Sequence, residues 1–375
     1  MIAGILRESG DEKRVALLPA EAAAVIKLGL KVVVEEGAGT GAFASDELYR
    51  TAGASTATRR EVVSGADVLF TVNPPLEDDI SLYREGQLIF TVLDPVANRD
   101  WLEKARQRKL TVMALDLVPR ITRAQSMDIL SSMATVSGYK AVLEAASLLP
   151  RFFPMFMSAA GTIKPARVLI LGAGVAGLQA IAVARKLGAV VEVFDVRSAV
   201  RDEVKSLGGK FIEVEGARED AAAGGYAVEQ TEDFRKRQQE LIQERAAAAD
   251  VIIATAQIPG KKAPVLVLKD TVTRMKPGSV IIDLAASSGG NCELTENGKT
   301  IMAGGVTIAG RSEYPAAMSS DASKMFGNNV VNLLRIMTDG KGNVNPDFTD
   351  EIVAGTAAVH GGEYLSPRVK QLLDI

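Results

Sequence analysis

Histidine is almost missing from this chain: His360 is the only one in 375 residues. Enzymes that oxidise an alcohol, a hydroxy acid or an amine move a proton as well as a hydride, and histidine is the side chain most often used for that step. Its scarcity weakens such a reading, although a lysine, tyrosine or carboxylate could take the role. His360 lies near the C-terminus, far in sequence from the motif described below, and reads as a structural residue. Cysteine is equally scarce. Cys292 alone excludes a disulfide within the chain and fits a reducing compartment. No apolar run approaches the roughly 20 residues needed to span a bilayer. Met1–Arg7 reads as a first strand and not as a signal peptide, because no long apolar core follows it. Nor does charge of one sign dominate: 43 Lys+Arg stand against 46 Asp+Glu, so no global field gathers nucleic acid or an anionic membrane surface. The expectation is a soluble protein without a metal, a nucleic-acid partner or a direct membrane insertion.

What the chain does have is glycine in a telling place. Arg167–Leu171 is an apolar strand that runs into Gly172, Gly174 and Gly177 at G-x-G-x-x-G spacing. Gly172 permits a tight turn, Gly174 leaves room for a pyrophosphate, and Gly177 lets the following helix pack closely. That helix opens at Val175, where unpaired N–H groups and the positive end of the dipole favour phosphate. A second apolar strand, Val190–Phe194, ends on Asp195, a carboxylate placed to accept hydrogen bonds from the adenosine ribose. The bare glycine spacing would be weak; strand, helix, second strand and terminal acid in order point to a dinucleotide. A carboxylate at 195 repels a 2′-phosphate and so predicts NAD(H) over NADP(H). Arg197 and Arg201 lie just beyond it and are read as solvated charges on the next helix.

Length and patterning predict two domains. Strands are expected near residues 2–6, 31–35, 68–72, 88–92 and 111–114, with helices near 19–28 and 100–108. A long helix is expected over 124–149, ended by Pro150 and Pro154. Strands at 167–171, 190–194, 210–214, 250–254 and 279–283 then alternate with helices at 175–187, 199–207, 232–248 and 267–275. A long helix over 321–336 and helices near 349–358 and 366–373 return the chain to its opening domain. The fold class is therefore α/β: two Rossmann-like, doubly wound domains with mostly parallel sheets, linked by long helices, with a cleft between them. Residues 1–125 with 330–375 would form a discontinuous N-terminal domain, and 126–329 the NAD(H)-binding one. The glycines of Gly37-Ala-Gly39-Thr-Gly41 superficially resemble a second phosphate loop, but the third comes one residue early, and the segment reads as a turn.

Three segments carry a family resemblance: Glu8–Pro19 with its Glu-Lys-Arg14, the Gly37–Gly41 loop, and Arg167–Gly177. Together they resemble the alanine dehydrogenase and nicotinamide nucleotide transhydrogenase family, and the likeness extends over practically the whole chain. The run Pro119-Arg120-Ile-Thr-Arg-Ala-Gln125-Ser-Met-Asp128-Ile-Leu-Ser131-Ser is narrower, and is similar to the NAD(H)-binding component of the proton-translocating branch. The amino-acid dehydrogenase branch carries a lysine in the segment matching Val72–Pro75 and a histidine in the one matching Thr91–Pro95. This chain has Asn73 and Asp94 there, while Arg14 belongs to the pattern shared by both branches.

The resemblance implies direct, Re/Si-specific hydride transfer between NADH here and NADP⁺ on a partner, coupled to proton translocation by a membrane-spanning subunit. Such a transfer exchanges no proton at the reacting carbons, which suits a histidine-poor chain. It also implies that Arg120, Gln125, Asp128 and Ser131 surround the nicotinamide, with Arg120 and Asp128 as a hydrogen-bonded pair. Read without it, the same run is a helix start with ordinary capping residues. Gly216–Ala227 lacks apolar periodicity; by resemblance it is a loop that closes over nucleotide, hinged at Gly224 and Gly225, with Tyr226 near the cofactor. Ala254–Gly260 follows a strand at the expected cofactor edge. A homodimer, lodged on the cytoplasmic face of the inner membrane through its partner subunits, is likewise implied. Two rivals remain open: a self-sufficient amino-acid or oxo-acid dehydrogenase, and an NAD-responsive binding protein without chemistry.

Overall fold

Short runs of β-branched and aromatic residues, buried on both faces, are what a parallel sheet between helices requires. In the computed structural model six short strands open the chain, β1 (Ile2–Ile5), β2 (Lys31–Glu35), β3 (Ser55–Ala57), β4 (Val68–Phe70), β5 (Leu88–Thr91) and β6 (Thr111–Ala114), and the last three are buried throughout. They pair in parallel in the order β3-β2-β1-β4-β5-β6. The structure describes residues 1–213, 232–258 and 261–375.

Helix Ile129–Leu148 follows, then an antiparallel hairpin, β7 (Phe156–Ser158) with β8 (Gly161–Ile163). A second sheet is built from β9 (Arg167–Leu171), β10 (Val190–Phe194), β11 (Lys210–Ile212), β12 (Val251–Ala254), β13 (Val280–Asp283), β14 (Thr300–Ala303) and β15 (Val306–Gly310). Its order is β11-β10-β9-β12-β13-β15-β14, parallel except for the β14–β15 pair. The chain then returns to the first sheet with β16 (Ala357–His360) and β17 (Glu363–Tyr364), which add an antiparallel edge beyond β6. Numbered within each sheet, the parallel strands run 3-2-1-4-5-6 in both, the doubly wound order that reverses direction beside its first strand.

The chain divides into two compact units: Met1–Met133 with Pro315–Ile375, and Ala134–Tyr314. The strand period of two sorts each core. In the second unit Val168 and Ile170 of β9 join one apolar cluster, and Leu169 and Leu171 join the other. In the first unit Phe70 and Phe90 stack at 5.0 Å on one face, while Leu69 and Ile89 serve the opposite face. Each such side chain contributes roughly 1.5–3 kcal/mol by leaving water.

Local chemistry moved some boundaries. The helix expected over 124–149 is broken: a 3₁₀ turn spans Thr122–Met127, and the α-helix begins at Ile129. The carboxylate of Asp128 takes the Ser131 N–H at 2.9 Å, so an N-cap starts the helix where apolar periodicity alone would have carried it through. The helix expected near 349–358 stops at Thr356, and Ala357–His360 pairs with β6. Strands β3, β14 and β15, the hairpin and the β16–β17 edge were not anticipated. They are short, or their apolar pattern is too weak to stand out.

Candidate functional site

The β9 exit is shaped by what its glycines do not carry. Gly172 has φ +103°, and a Cβ there would stand 2.6 Å from the Thr255 Oγ1. At Gly177 a Cβ would fall 1.9 Å from the Gly172 carbonyl oxygen. Only Gly174 differs, with no atom within 4 Å of the position a Cβ would take. Gly172 and Gly177 therefore let the loop close on itself, while Gly174 keeps one side of it open. Gly174 is also the N-cap of helix Val175–Lys186, and Val175 is 41% exposed. The opening thus lies where the first helical N–H groups lack intrahelical acceptors, an arrangement that favours an anion.

Residues outside the motif hold this loop. The Thr255 hydroxyl, just past β12, donates to the carbonyls of Leu171 at 3.2 Å and Gly172 at 3.0 Å. Asn291 is fully buried; its Nδ2 donates to the Ala256 and Pro264 carbonyls and its Oδ1 accepts from the Ala256 N–H at 3.0 Å. Asp283, at the end of β13, gathers the N–H groups of Ala285, Asn291 and Cys292 and the hydroxyl of Thr295. Burial pushes the Cys292 thiol up to about 11, so it is a packed, inert group. Gly138 of the long helix would carry its Cβ 2.1 Å from the Ala176 carbonyl, so it lets that helix lie against the first turn of the loop helix. Thr255 belongs to the 254–260 stretch expected at the cofactor edge, whereas Asn291, Asp283 and Gly138 did not stand out in the sequence. An acid closing an apolar strand, the signature that marked Asp195, is repeated at Asp283 and was the available signal.

Asp195 is not a solvated acid. Its side chain is 6% exposed, and it accepts from the Ala173 N–H at 2.7 Å and from the Arg197 N–H at 2.8 Å. The Arg197 guanidinium completes the set, Nε at 3.0 Å and Nη2 at 2.9 Å. Arg197 is thus an ion-pair partner and not the solvated charge expected. Arg201 pairs with Glu213 and lies 5.9 Å over the Phe211 ring, so it too is engaged.

On the first unit, the turn Thr122–Met127 is tied down by the amides of Asn329 and Asn332, which both donate to the Ser126 carbonyl. Arg123 adds a forked pair to Asp350, at 2.7 and 2.9 Å. Asp128 and Ser131 come together as expected: the Ser131 hydroxyl donates to the Asp128 Oδ2 at 2.6 Å. Arg120 and Gln125 are exposed on the same segment. Among the described residues no ion pair joins Arg120 to Asp128, whose carboxylate caps the helix through Ser131. Tyr226, with Gly224, Gly225 and the rest of the 216–227 segment, lies outside the described residues, as do residues 259–260 of the 254–260 stretch.

The corresponding exit from β1 is filled with charge. Glu8 accepts the N–H groups of Val72 at 2.6 Å and Asn73 at 3.1 Å, together with the Asn73 side-chain amide at 3.1 Å. Burial pushes its carboxyl up to about 7, against the lowering effect of those N–H donors. Arg14 forks onto Glu12, Nε at 2.9 Å and Nη2 at 2.6 Å, and its Nη1 meets the Met133 sulfur at 3.3 Å. A cavity of about 290 Å³ lies beside this knot, lined by Glu8, Glu12, Arg14 and the Gly37–Gly41 turn among others. Asp94, at φ +42°, donates its N–H to Asp116 and takes the Ala97 N–H. His360 bonds Thr111 through Nδ1 at 2.9 Å and packs 4.5 Å from the Phe348 ring. Among the described residues no helix is long and apolar enough to cross a membrane.

Two family profiles match the chain: the alanine dehydrogenase/PNT N-terminal domain over residues 4–137, and the C-terminal domain of the same family over 141–367. The first part of the NAD(P) transhydrogenase subunit alpha of Rhodospirillum rubrum is 46% identical over 366 residues, covering 95% of each chain. The NAD(P) transhydrogenase subunit alpha of Haemophilus influenzae is 42% identical over 98% of this chain and 72% of its own length. Among solved structures, the transhydrogenase from Sinorhizobium meliloti is similar with a TM-score of 0.89 and 41% identity, covering 97% of this chain and 100% of that one.

Proposed function

The chain belongs to the alanine dehydrogenase/PNT family, and on that premise we propose that it is the NAD(H)-binding component of an NAD(P) transhydrogenase. The observation that carries this reading is the β9 exit: a glycine loop open at Gly174 alone, at the start of a helix, with a carboxylate on the next strand. A pyrophosphate fits the open side, and the helix N-terminus offers it N–H groups. Val175 would then lie under the phosphates and Asp195 would receive the adenosine ribose.

The bound NADH gives up hydride to the nicotinamide of an NADP⁺ held on a partner chain. One C–H bond breaks, one forms, and no proton is exchanged at the reacting carbons. The protein's task is orientation and exclusion of water. Arg120, Gln125, Asp128 and Ser131 take the nicotinamide end, with the Asp128–Ser131 contact fixing the carboxylate that orients the ring, and the resemblance adds Tyr226 to the cofactor site. Partners follow from the reaction: an NADP(H)-binding transhydrogenase domain and a membrane-spanning subunit that couples Re/Si-specific transfer to proton translocation. The chain works as a homodimer, held by those partners at the cytoplasmic face of the inner membrane.

The amino-acid dehydrogenase reading is opposed by the β1 exit. An oxo-acid carboxylate needs cationic partners, yet the Arg14 charge is spent on Glu12 and the Asn73 amide donates to Glu8. Stopped-flow mixing of NADH-loaded protein with an NADP⁺ analogue, with and without the partner domain, tests the proposal. Hydride transfer that appears only with the partner supports it. No transfer with both nucleotides bound, or oxidation of an amino acid by NAD⁺ alone, sinks it.

A further inference from the structure

The Asp195 carboxylate meets four N–H donors: Ala173 N and Arg197 N from the backbone, and Nε and Nη2 of the Arg197 guanidinium. A carboxylate offers about four lone-pair sites, so its capacity is filled before any ribose arrives. The two backbone donors are fixed by the chain path. The two guanidinium donors sit at the end of a long, rotatable side chain that is 32% exposed while the carboxylate beneath is 6% exposed. Arg197 is therefore the group a ribose diol must move aside.

Two consequences follow from its chemistry. A hydroxyl competing with a charge-assisted fork binds less tightly than one meeting an open carboxylate. The same guanidinium neutralises the charge that would repel a 2′-phosphate, and its planar donor set suits phosphate directly. Arg201 pairs with Glu213 instead of Asp195. We propose that Arg197 is a specificity-determining residue that acts against Asp195, lowering the preference of this site for NADH over NADPH. The proposal rests on the assignment of the β9 exit to NAD(H).

The test is calorimetric titration of the full chain with NADH and with NADPH, for wild type, Arg197→Ala, Arg197→Gln and Asp195→Asn, each checked for an unchanged melting curve. Removing the guanidinium should tighten NADH and weaken NADPH, raising the ratio of their affinities about tenfold, the effect of roughly one charge-assisted hydrogen bond. Arg197→Gln guards against a folding defect in the alanine variant. A ratio that stays the same or falls in a folded variant overturns the proposal, since a residue that merely props up Asp195 would weaken NADH. Asp195→Asn should lower the ratio. If it leaves both affinities untouched, the ribose assignment itself has failed, and that outcome is distinct from a silent Arg197.

Discussion

The two sheets share one strand order, yet their first strands lead into opposite kinds of loop. The β9 exit contains three glycines and presents an empty flank at Gly174. The β1 exit contains Glu8, Glu12 and Arg14 and turns them on each other and on Asn73. In an open α/β sheet the reversal of strand order leaves room beside the first strand in both cases. Topology therefore supplies the place twice, and side chains decide what lines it. One exit is built by removing atoms so that an anion can approach backbone N–H groups. The other sets carboxylates and a guanidinium that satisfy one another beside a cavity of about 290 Å³.

The sharpest way to break that contrast is to add one carbon. Gly177→Ala places a methyl 1.9 Å from the Gly172 carbonyl and should cost on the order of 3 kcal/mol of stability. NADH binding should be lost with it, measured by thermal melting alongside nucleotide titration. Gly174→Ala, with nothing within 4 Å, should melt within about 0.5 kcal/mol of wild type and still bind NADH roughly tenfold more weakly. Equal effects of the two substitutions on melting would show that Gly174 is not the open flank.

A smaller effect separates two regions of the first unit, its charged β1 exit and its 120–131 segment. Asp128→Asn keeps a helix cap, because asparagine caps as well as aspartate. It should nevertheless slow hydride transfer by at least about tenfold while NADH affinity changes by less than about threefold. Arg120→Ala should do the same. Transfer rates unchanged in both variants would confine cofactor chemistry to the second unit.

The smallest effect concerns pH at the β1 exit. The folded Glu8 carboxyl titrates near 7, above its ordinary value of 4.5, so the native state holds a proton that the unfolded chain releases. The resulting stabilisation is complete below the unfolded pKa and fades as pH climbs to the folded one. Glu8→Gln, which cannot ionise, should therefore gain on wild type between pH 5 and pH 8 in melting temperature. A constant difference across that window would mean Glu8 is ionised throughout, and the knot is a set of ordinary ion pairs.

Much of this was legible in linear order. The runs expected near 2–6, 31–35, 68–72, 88–92 and 111–114 form strands at 2–5, 31–35, 68–70, 88–91 and 111–114, because a short apolar run between turns has few alternatives. The glycine loop, its helix and the following strand are as local as a motif can be. Other features were hidden for identifiable reasons. Asp128 is chemically ambiguous: as a cap it bonds three residues ahead, and no distant partner is needed to explain it. Strand β14 exposes alternate positions on the edge of its sheet, so its signal is half strength. Thr255, Asn291 and Asp283 touch the loop or its supports across gaps of eight to 83 positions, and no local pattern reports such contacts.

Composition and local order alone settled that this chain builds two α/β sheets, and they pointed to a dinucleotide loop on one of them and away from histidine as a proton carrier. Such properties depend on neighbours in sequence: which side chains alternate, where glycine relieves a turn, what residue type is present at all. Tertiary structure alone decided which charges are available. Arg197 and Asp195, or Arg14 and Glu12, read as isolated charges until folding sets their distance and removes water from between them. The strength of a charge depends steeply on both, and neither is written in the order of residues.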